Sequence, residues 1–254
     1  MSKVRAKKYL GQHFLKDFGI ARDIAQSLSL KNYSKVLEVG PGMGALTQFL
    51  IPLNTETFVI EIDKESVSFL KKNYPELDNH IVEGDFLQLP LKEFFKEPIA
   101  IIGNFPYNIS SQILLKAIDH KDLIPEIVGM FQKEVAERIV SPPGSKKYGI
   151  ISILLQCFYD VEYLFTVDET VFDPPPKVKS AVIRLRRNNR DKLDCDEKKF
   201  LKVVKTSFSQ RRKTLRNALK SLKLVDEISA DRYLSLRAEQ LSVEDFINLT
   251  NCFE

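Results

Sequence analysis

No run of apolar residues in these 254 approaches the roughly 20 that a helix needs to span a bilayer. The longest candidate, 149–159, is about half that length and predicts a buried helix. The basic stretch 1–8 is followed by no apolar segment, so no secretory leader is expected. Cysteine is scarce. Cys157, Cys195 and Cys252 are too few and too far apart for a disulfide framework, which points to a reducing, cytoplasmic setting. In that setting the sequons at Asn32, Asn108 and Asn248 carry no meaning. His13, His80 and His120 are scattered without metal-ligand spacing, and no metal is expected. The Gly-Lys-Ser/Thr of a phosphate-binding loop is missing, as are internal repeats and low-complexity tracts.

What is present is first an uneven charge. The net charge is +4, yet 184–223 carries fifteen Lys or Arg against four Asp or Glu, leaving the remainder net acidic. A segregated basic region is the electrostatic footprint of a polyanion partner, here nucleic acid.

From Ser34 onward, short apolar runs alternate with helical stretches. Strands are predicted at 35–39, 57–61, 80–85, 99–103, 126–131, 161–167 and 181–185. Helices are predicted at 45–50, 64–74, 110–118 and up to 140. This alternation implies βαβ units and an α/β, Rossmann-like, mostly parallel seven-stranded sheet, with the last two strands as an antiparallel edge pair. After Arg187 the chain turns polar and then helical throughout. The predicted division is therefore 1–187 and a small all-α domain, 188–254.

Gly40-Pro41-Gly42-Met43-Gly44 follows a strand and opens a helix, the setting in which glycines let a ligand approach the backbone. Glu61 ends the next strand, 21 residues after Gly40, where a carboxylate accepts hydrogen bonds from ribose hydroxyls. Asp85 ends the third strand. Ligands of open α/β sheets bind at the carboxyl ends of strands, so Gly40, Glu61 and Asp85 are expected to converge. Several acids would repel a pyrophosphate but suit a phosphate-free cation. S-adenosylmethionine, with its sulfonium and ammonium, fits.

Asn104-Phe105-Pro106-Tyr107 follows the fourth strand. The nitrogen of an aromatic amine is a poor nucleophile because its lone pair is conjugated with the ring. The Asn104 side-chain oxygen can accept a hydrogen bond from such an amine, and a carbonyl beside the rigid Pro106 supplies a second acceptor. Tyr107 offers a face on which a base can stack. Phe172, taken alone, reads equally well as a core aromatic.

With these motifs the chain resembles the small-subunit ribosomal RNA adenine dimethyltransferases over nearly its whole length. The matching segments are 10–15 (Leu-Gly-Gln-His-Phe-Leu), 38–47, 104–107, 171–178 (Val-Phe-Asp-Pro-Pro-Pro-Lys-Val) and 210–215 (Gln-Arg-Arg-Lys-Thr-Leu). The resemblance implies a class I methyltransferase that dimethylates N6 of two adjacent adenosines near the 3′ end of that RNA, with a part in subunit maturation. It implies that His13, Leu15, Gly40, Gly42, Glu61, Asp85 and Asn104 line the S-adenosylmethionine site. It also implies that Asn104 and the Pro106 carbonyl grip N6 while Tyr107 and Phe172 sandwich the adenine. Two positions depart from the family pattern: His13, where many relatives carry Asn, and Phe105, where Leu is usual. A large-subunit rRNA adenine methyltransferase, or an assembly factor whose binding matters more than its catalysis, are the alternatives.

In 211–223, Leu215, Ala218, Leu219 and Leu222 follow helical spacing, with Arg212, Arg216, Lys220 and Lys223 on an adjacent face. Arg211, Arg212, Lys213, Arg216 and Lys220 are the expected RNA contacts, joined by Arg184, Arg186, Arg187 and 3–8 as a basic rim. The expected partners are the small ribosomal subunit and its rRNA, met by a monomer without a membrane. Ser242 and Asp245 are placed to cap a last helix.

Overall fold

A computed structural model describes residues 4–254, so Lys3 of the expected basic rim lies outside the described residues. Contacts along the chain divide it into two compact units, Met1–Ala136 with Asp160–Arg187 and Glu137–Tyr159 with Asn188–Glu254. The second unit thus begins again at residue 188, where the composition changes, and in addition takes in the 137–159 excursion.

In the first unit the strands are β1 (Phe14–Leu15), β2 (Lys35–Val39), β3 (Glu56–Glu61), β4 (Ile81–Glu83), β5 (Ile99–Asn104), β6 (Glu126–Gln132), β7 (Tyr159–Val167), β8 (Phe172–Asp173) and β9 (Ser180–Arg187). Its helices are α1 (Phe18–Gln26), α2 (Thr47–Leu50), α3 (Lys64–Asn73), α4 (Leu91–Phe94) and α5 (Ser110–Asp119), and α6 (Lys133–Val140) leads out of it. Seven strands form one sheet in the order β4-β3-β2-β5-β6-β9-β7. The pairs β4–β3, β3–β2, β2–β5 and β5–β6 are parallel, while β9 runs antiparallel to β6. Near-continuous apolar runs are the mark of parallel strands covered on both faces. Accordingly Val36, Leu37, Ile99, Ala100, Ile101, Ile102, Ile127 and Val128 have no exposed surface.

The strand order reverses between β2 and β5. Chain leaving β2 winds toward β3 and β4, and chain leaving β5 winds toward β6, which opens a crevice at the carboxyl ends of β2 and β5. Glu38 pairs in register with Ile102, so Gly40 and Asn104 emerge side by side at that crevice.

A second, two-stranded ribbon joins Phe14 to Asp173 and Leu15 to Phe172. It ties residues 14–15 to 172–173, and the Lys16 N–H extends it by donating to the Val171 carbonyl at 2.8 Å.

The second unit packs α7 (Ile150–Gln156), α8 (Glu197–Ser209), α9 (Leu215–Ala218), α10 (Glu227–Leu234) and α11 (Val243–Asn251). Tyr148, Phe200, Leu215 and Phe246 are buried in its core. Asp196 caps α8 by accepting from the Lys199 N–H. Ser242 and Asp245 form the reciprocal cap expected at the start of α11.

The expected basic helix over 211–223 is not formed. Helix α8 ends at Ser209, residues 210–212 are a turn, and of 211–223 only 215–218 are helical. The reason is non-local. The Leu215 N–H donates to the Leu236 carbonyl, and Thr214 forms an isolated bridge with Arg237, so this backbone is taken by a distant segment instead of the preceding turn. Leu215, Ala218 and Leu219 are buried as the spacing requires, but Arg212 and Arg216 do not stand on one continuous helix face.

Candidate active site

One cleft of about 200 Å³ in the first unit is lined by His13, Leu15, Gly40, Gly42, Glu61, Asp85, Asn104, Pro106 and Tyr107. The residues singled out around the glycine loop and the fourth strand therefore meet. Phe172 is the exception. It is 1 % exposed and clusters in the core with Leu15, Ala21, Ile24 and Val182; Leu15 and Ile24 line the cleft, and Phe172 does not. Its strand β8 pairs with β1, and its ring lies behind the residues that line the cleft.

The glycine loop works through its backbone. Gly42, at φ +56°, directs its N–H to Glu61 Oε2 at 3.0 Å, and a β-carbon there would lie 2.8 Å from the Phe14 ring. The other Glu61 oxygen accepts from the Asp63 N–H at 2.9 Å. Each carboxylate oxygen keeps a lone pair for a ligand. Burial pushes the Glu61 carboxyl above its ordinary range, while backbone bonds from Asp63, Gly42 and Ile62 oppose the shift. Glu38 is 2 % exposed and accepts the Thr47 hydroxyl at 2.6 Å. Its burial outweighs that bond and pushes it up to about 8. Glu38 also lines the cleft. Two buried carboxyls at one end of the cleft favour a cation, whose field would return both to the charged form.

Asp85 caps the turn Phe86–Gln88, its Oδ1 accepting from the Leu87 N–H at 2.8 Å. That cap leaves its second oxygen without a hydrogen bond among the described residues.

The Asn104 amide is oriented by its neighbours. Its Nδ2 donates to the His13 carbonyl at 2.9 Å, which fixes which end of the amide is nitrogen. Its Oδ1 takes no hydrogen bond from the described residues and belongs to a side chain lining the cleft. His13 is held in turn by donating from Nδ1 to the Pro174 carbonyl at 2.7 Å. Its ring stacks on that of Tyr107 with centroids 5.5 Å apart. The Tyr107 hydroxyl lies 2.5 Å from that of Ser180, which has no exposed surface, and burial raises the phenol. His13 therefore reaches the site through its carbonyl and its ring, and the departure from Asn leaves the Asn104 contact in place because that contact uses main chain.

The second departure is housed in the core. Phe105 is 1 % exposed and meets Phe131 edge to face at 5.2 Å. A β-carbon on Gly129 would stand 2.2 Å from the Phe105 ring, and one on Gly103 2.9 Å. Two glycines in adjacent strands thus make room for the larger side chain.

Sequence reasoning missed several residues of this site. Lys7 and Gln12 both donate to the buried Asp63, pinning 7–12 over the end of β3. Burial works to raise Asp63, but these bonds outweigh it and hold its carboxyl low. The signal was weak, an acid two residues after Glu61 and a polar residue in the 10–15 segment. Ser180 sits just beyond the 171–178 motif with nothing to mark it.

The expected RNA contacts lie in the second unit and differ among themselves. Arg211 donates to the Lys146 carbonyl at 2.5 Å and faces Glu239 at 3.7 Å. Arg216 pairs with Asp231 at 3.0 Å and Glu227 at 3.7 Å. Arg212, Lys213 and Lys220 are exposed and make no ion pair among the described residues. In the first unit, Arg184 of the expected rim is tied to Glu162 and to the Ser27 carbonyl.

Among the described residues no helix is long and apolar enough to cross a membrane.

Residues 3–254 match the family model described as ribosomal RNA adenine dimethylase. The chain is 59% identical to the ribosomal RNA small subunit methyltransferase A of Cytophaga hutchinsonii, over 99% of this chain and 98% of that one. It is 58% identical to the protein of the same name from Flavobacterium johnsoniae, over 100% and 98%. Among solved structures, a dimethyladenosine transferase from Plasmodium falciparum superposes with a TM-score of 0.79 at 27% identity, covering 95% of this chain and 99% of that one. The 23S rRNA methyltransferase ErmE follows at 0.69 and 25% identity, covering 94% and 98%.

Proposed function

As the chain belongs to the ribosomal RNA adenine dimethylase family, we propose that its cleft transfers methyl groups from S-adenosylmethionine to N6 of two adjacent adenosines near the 3′ end of small-subunit rRNA, as a step in subunit maturation. The observation that carries this reading is Asn104. Its nitrogen is committed to the His13 carbonyl, so its oxygen is left as an acceptor in the cleft, where an adenine amine needs one.

The donor's sulfonium supplies the activation, and the protein's task is placement. Gly42 and Glu61 hold the ribose end, and Asp85 holds the base of the donor. The buried acids Glu38 and Glu61 suit its positive charges. At the acceptor, Asn104 Oδ1 and the Pro106 carbonyl receive the N6 hydrogens, two before the first transfer and one before the second, turning the lone pair toward the methyl group. As the N–C bond forms the C–S bond breaks, S-adenosylhomocysteine leaves, and the acidified N6 proton passes to water. Tyr107, held by Ser180 and His13, provides one stacking face. A base within a helix must leave its stack to reach these groups. The second wall that Phe172 was expected to give requires that ring to leave the core. Arg212, Lys213 and Lys220 meet phosphates.

The test is direct. Unmethylated small subunits incubated with labelled S-adenosylmethionine are expected to carry label on two adjacent adenosines, each as dimethyladenosine by mass spectrometry. Label in the large-subunit rRNA, or a product halted at monomethyladenosine, overturns the reading.

A further inference from the structure

Lys116, seven residues into α5, does not line the cleft, yet its ammonium is fully occupied beside it. Nζ donates to the carbonyls of Phe86 at 2.7 Å, Leu87 at 2.9 Å and Leu89 at 2.6 Å. An ammonium has three N–H groups, so all are in use. The same nitrogen lies 5.2 Å from the centre of the Phe86 ring. A lysine on a helix surface ordinarily extends into water, and this one instead gathers three main-chain acceptors from a single turn.

That turn is the one Asp85 begins. The Leu87 amide in its first turn is met by the Asp85 carboxylate, and the carbonyls of Phe86, Leu87 and Leu89 are met by Lys116. Asp85, Phe86 and Leu87 all line the cleft. Helix α5 also begins three residues after Tyr107, with the Ile109 N–H closing a turn on the Pro106 carbonyl. One helix therefore carries the amine-gripping segment at its start and the clamp on the Asp85 turn at its middle.

We propose that Lys116 is a positioning residue, which fixes the Asp85 turn to α5 and so sets the distance between the groups that hold the donor and those that hold the acceptor. This rests on the reading of the cleft as an S-adenosylmethionine site. Lys116 touches neither ligand. It acts by keeping the Asp85 carboxylate and the Leu87 main chain in place before the donor arrives, so that binding does not have to order them.

The experiment compares wild type, K116M, D85N and the double variant as full chains. Binding of S-adenosylhomocysteine is followed by calorimetry, and methylation of small subunits gives KM and kcat. K116M is expected to raise Kd for S-adenosylhomocysteine and KM for the donor roughly tenfold, as losing bonds to a charged group does, with kcat within about twofold. The double variant is expected to be little worse than D85N alone, because both act on one turn. K116M binding like wild type, a loss confined to kcat, or effects of K116M and D85N that multiply would each overturn the proposal. Should K116M not fold, K116Q keeps an amide donor, and its Kd is expected to rise several-fold; a folded K116Q with wild-type Kd overturns the proposal equally. Wild-type protein that binds no S-adenosylhomocysteine overturns the reading of the cleft itself, whereas wild-type binding with unaltered K116M binding overturns only the role of Lys116.

Discussion

The cleft of the first unit and the basic surface of the second hold their charges in opposite ways. In the cleft, carboxylates are buried or half-buried and each is met by a backbone amide or a hydroxyl: Glu61 by Gly42 and Asp63, Asp85 by Leu87, Glu38 by Thr47. Their positions are set by main chain and leave open only the lone pairs a ligand would use. In the second unit the cations are exposed, and several are already answered by a carboxylate nearby. Arg216 faces Asp231, Lys223 faces Glu254, and Arg190 faces Glu244. The lesson is that charge counted along a chain is not charge offered to a partner. An acid in the cleft is scarce and directed, whereas an arginine in the basic stretch must first be shown to be unoccupied.

The comparison can be broken at several points. The largest effect is expected at the acceptor. N104A removes an oxygen used only as the amine reacts, and kcat is expected to fall about 10²–10³-fold while Kd for S-adenosylhomocysteine moves only a few-fold. Single-turnover methylation with parallel calorimetry separates the two, and a loss of binding alone would move Asn104 into the donor site only.

Next comes the loop geometry. G42A demands positive φ of a residue with a β-carbon that would meet Phe14 at 2.8 Å. Kd for S-adenosylhomocysteine is expected to rise at least tenfold and stability to drop by about 1–3 kcal/mol. Near-normal binding would mean that the loop tolerates a shift, and that the cleft is less directed than drawn here.

The contrast among cations gives a smaller effect. R212A/K213A/K220A, which removes three cations that make no ion pair among the described residues, is expected to reduce the slope of log K for RNA against log salt by about 2. R211A/R216A is expected to change that slope by less than about 1, and to destabilise the second unit instead, since Arg211 holds the Lys146 carbonyl. Equal slopes for the two variants would erase the distinction between paired and offered charge.

The smallest effect concerns pH. Burial pushes Glu38 up to about 8 from the ordinary 4.5, so the folded chain keeps a proton that the unfolded chain has released. The stability this contributes is full below about pH 4.5 and is lost as pH rises through about 8. Between pH 6 and 7 the change is about 1 kcal/mol, and E38Q is expected to flatten it in urea titrations at the two pH values. An unchanged slope in E38Q assigns the pH dependence elsewhere.

Much of the first unit was legible because parallel strands write themselves as unbroken apolar runs, as in Ile99–Ile102. The glycine loop was legible because few residues accept its backbone angles. Three things were not. Strands β1 and β8, two residues each, are too short to show any period, and their pairing decides where Phe172 points. Thr214 and Leu215 continue a helical pattern, but a distant segment, Leu236–Arg237, claims their backbone. Lys116 looks like any solvated helix lysine until the turn 86–89 is folded beneath it. Each miss is a contact between segments far apart in the chain, which local pattern does not record.

The ribbon of β1 and β8 has a consequence in time. Residues 10–15 are made early, yet their partners at 172–174 follow some 160 residues later. Long loops close slowly, because the chain's freedom is lost before the contact rewards it. On the ribosome the early segment must therefore wait, unpaired, while the parallel sheet assembles behind it. Only when Phe172, Asp173 and Pro174 have emerged can they hold His13, and only then does the His13 carbonyl turn the Asn104 amide into its working orientation. A nascent chain stalled before residue 172 therefore carries the glycine loop and the acids but lacks the carbonyl that holds His13, and with it the support for the Asn104 amide.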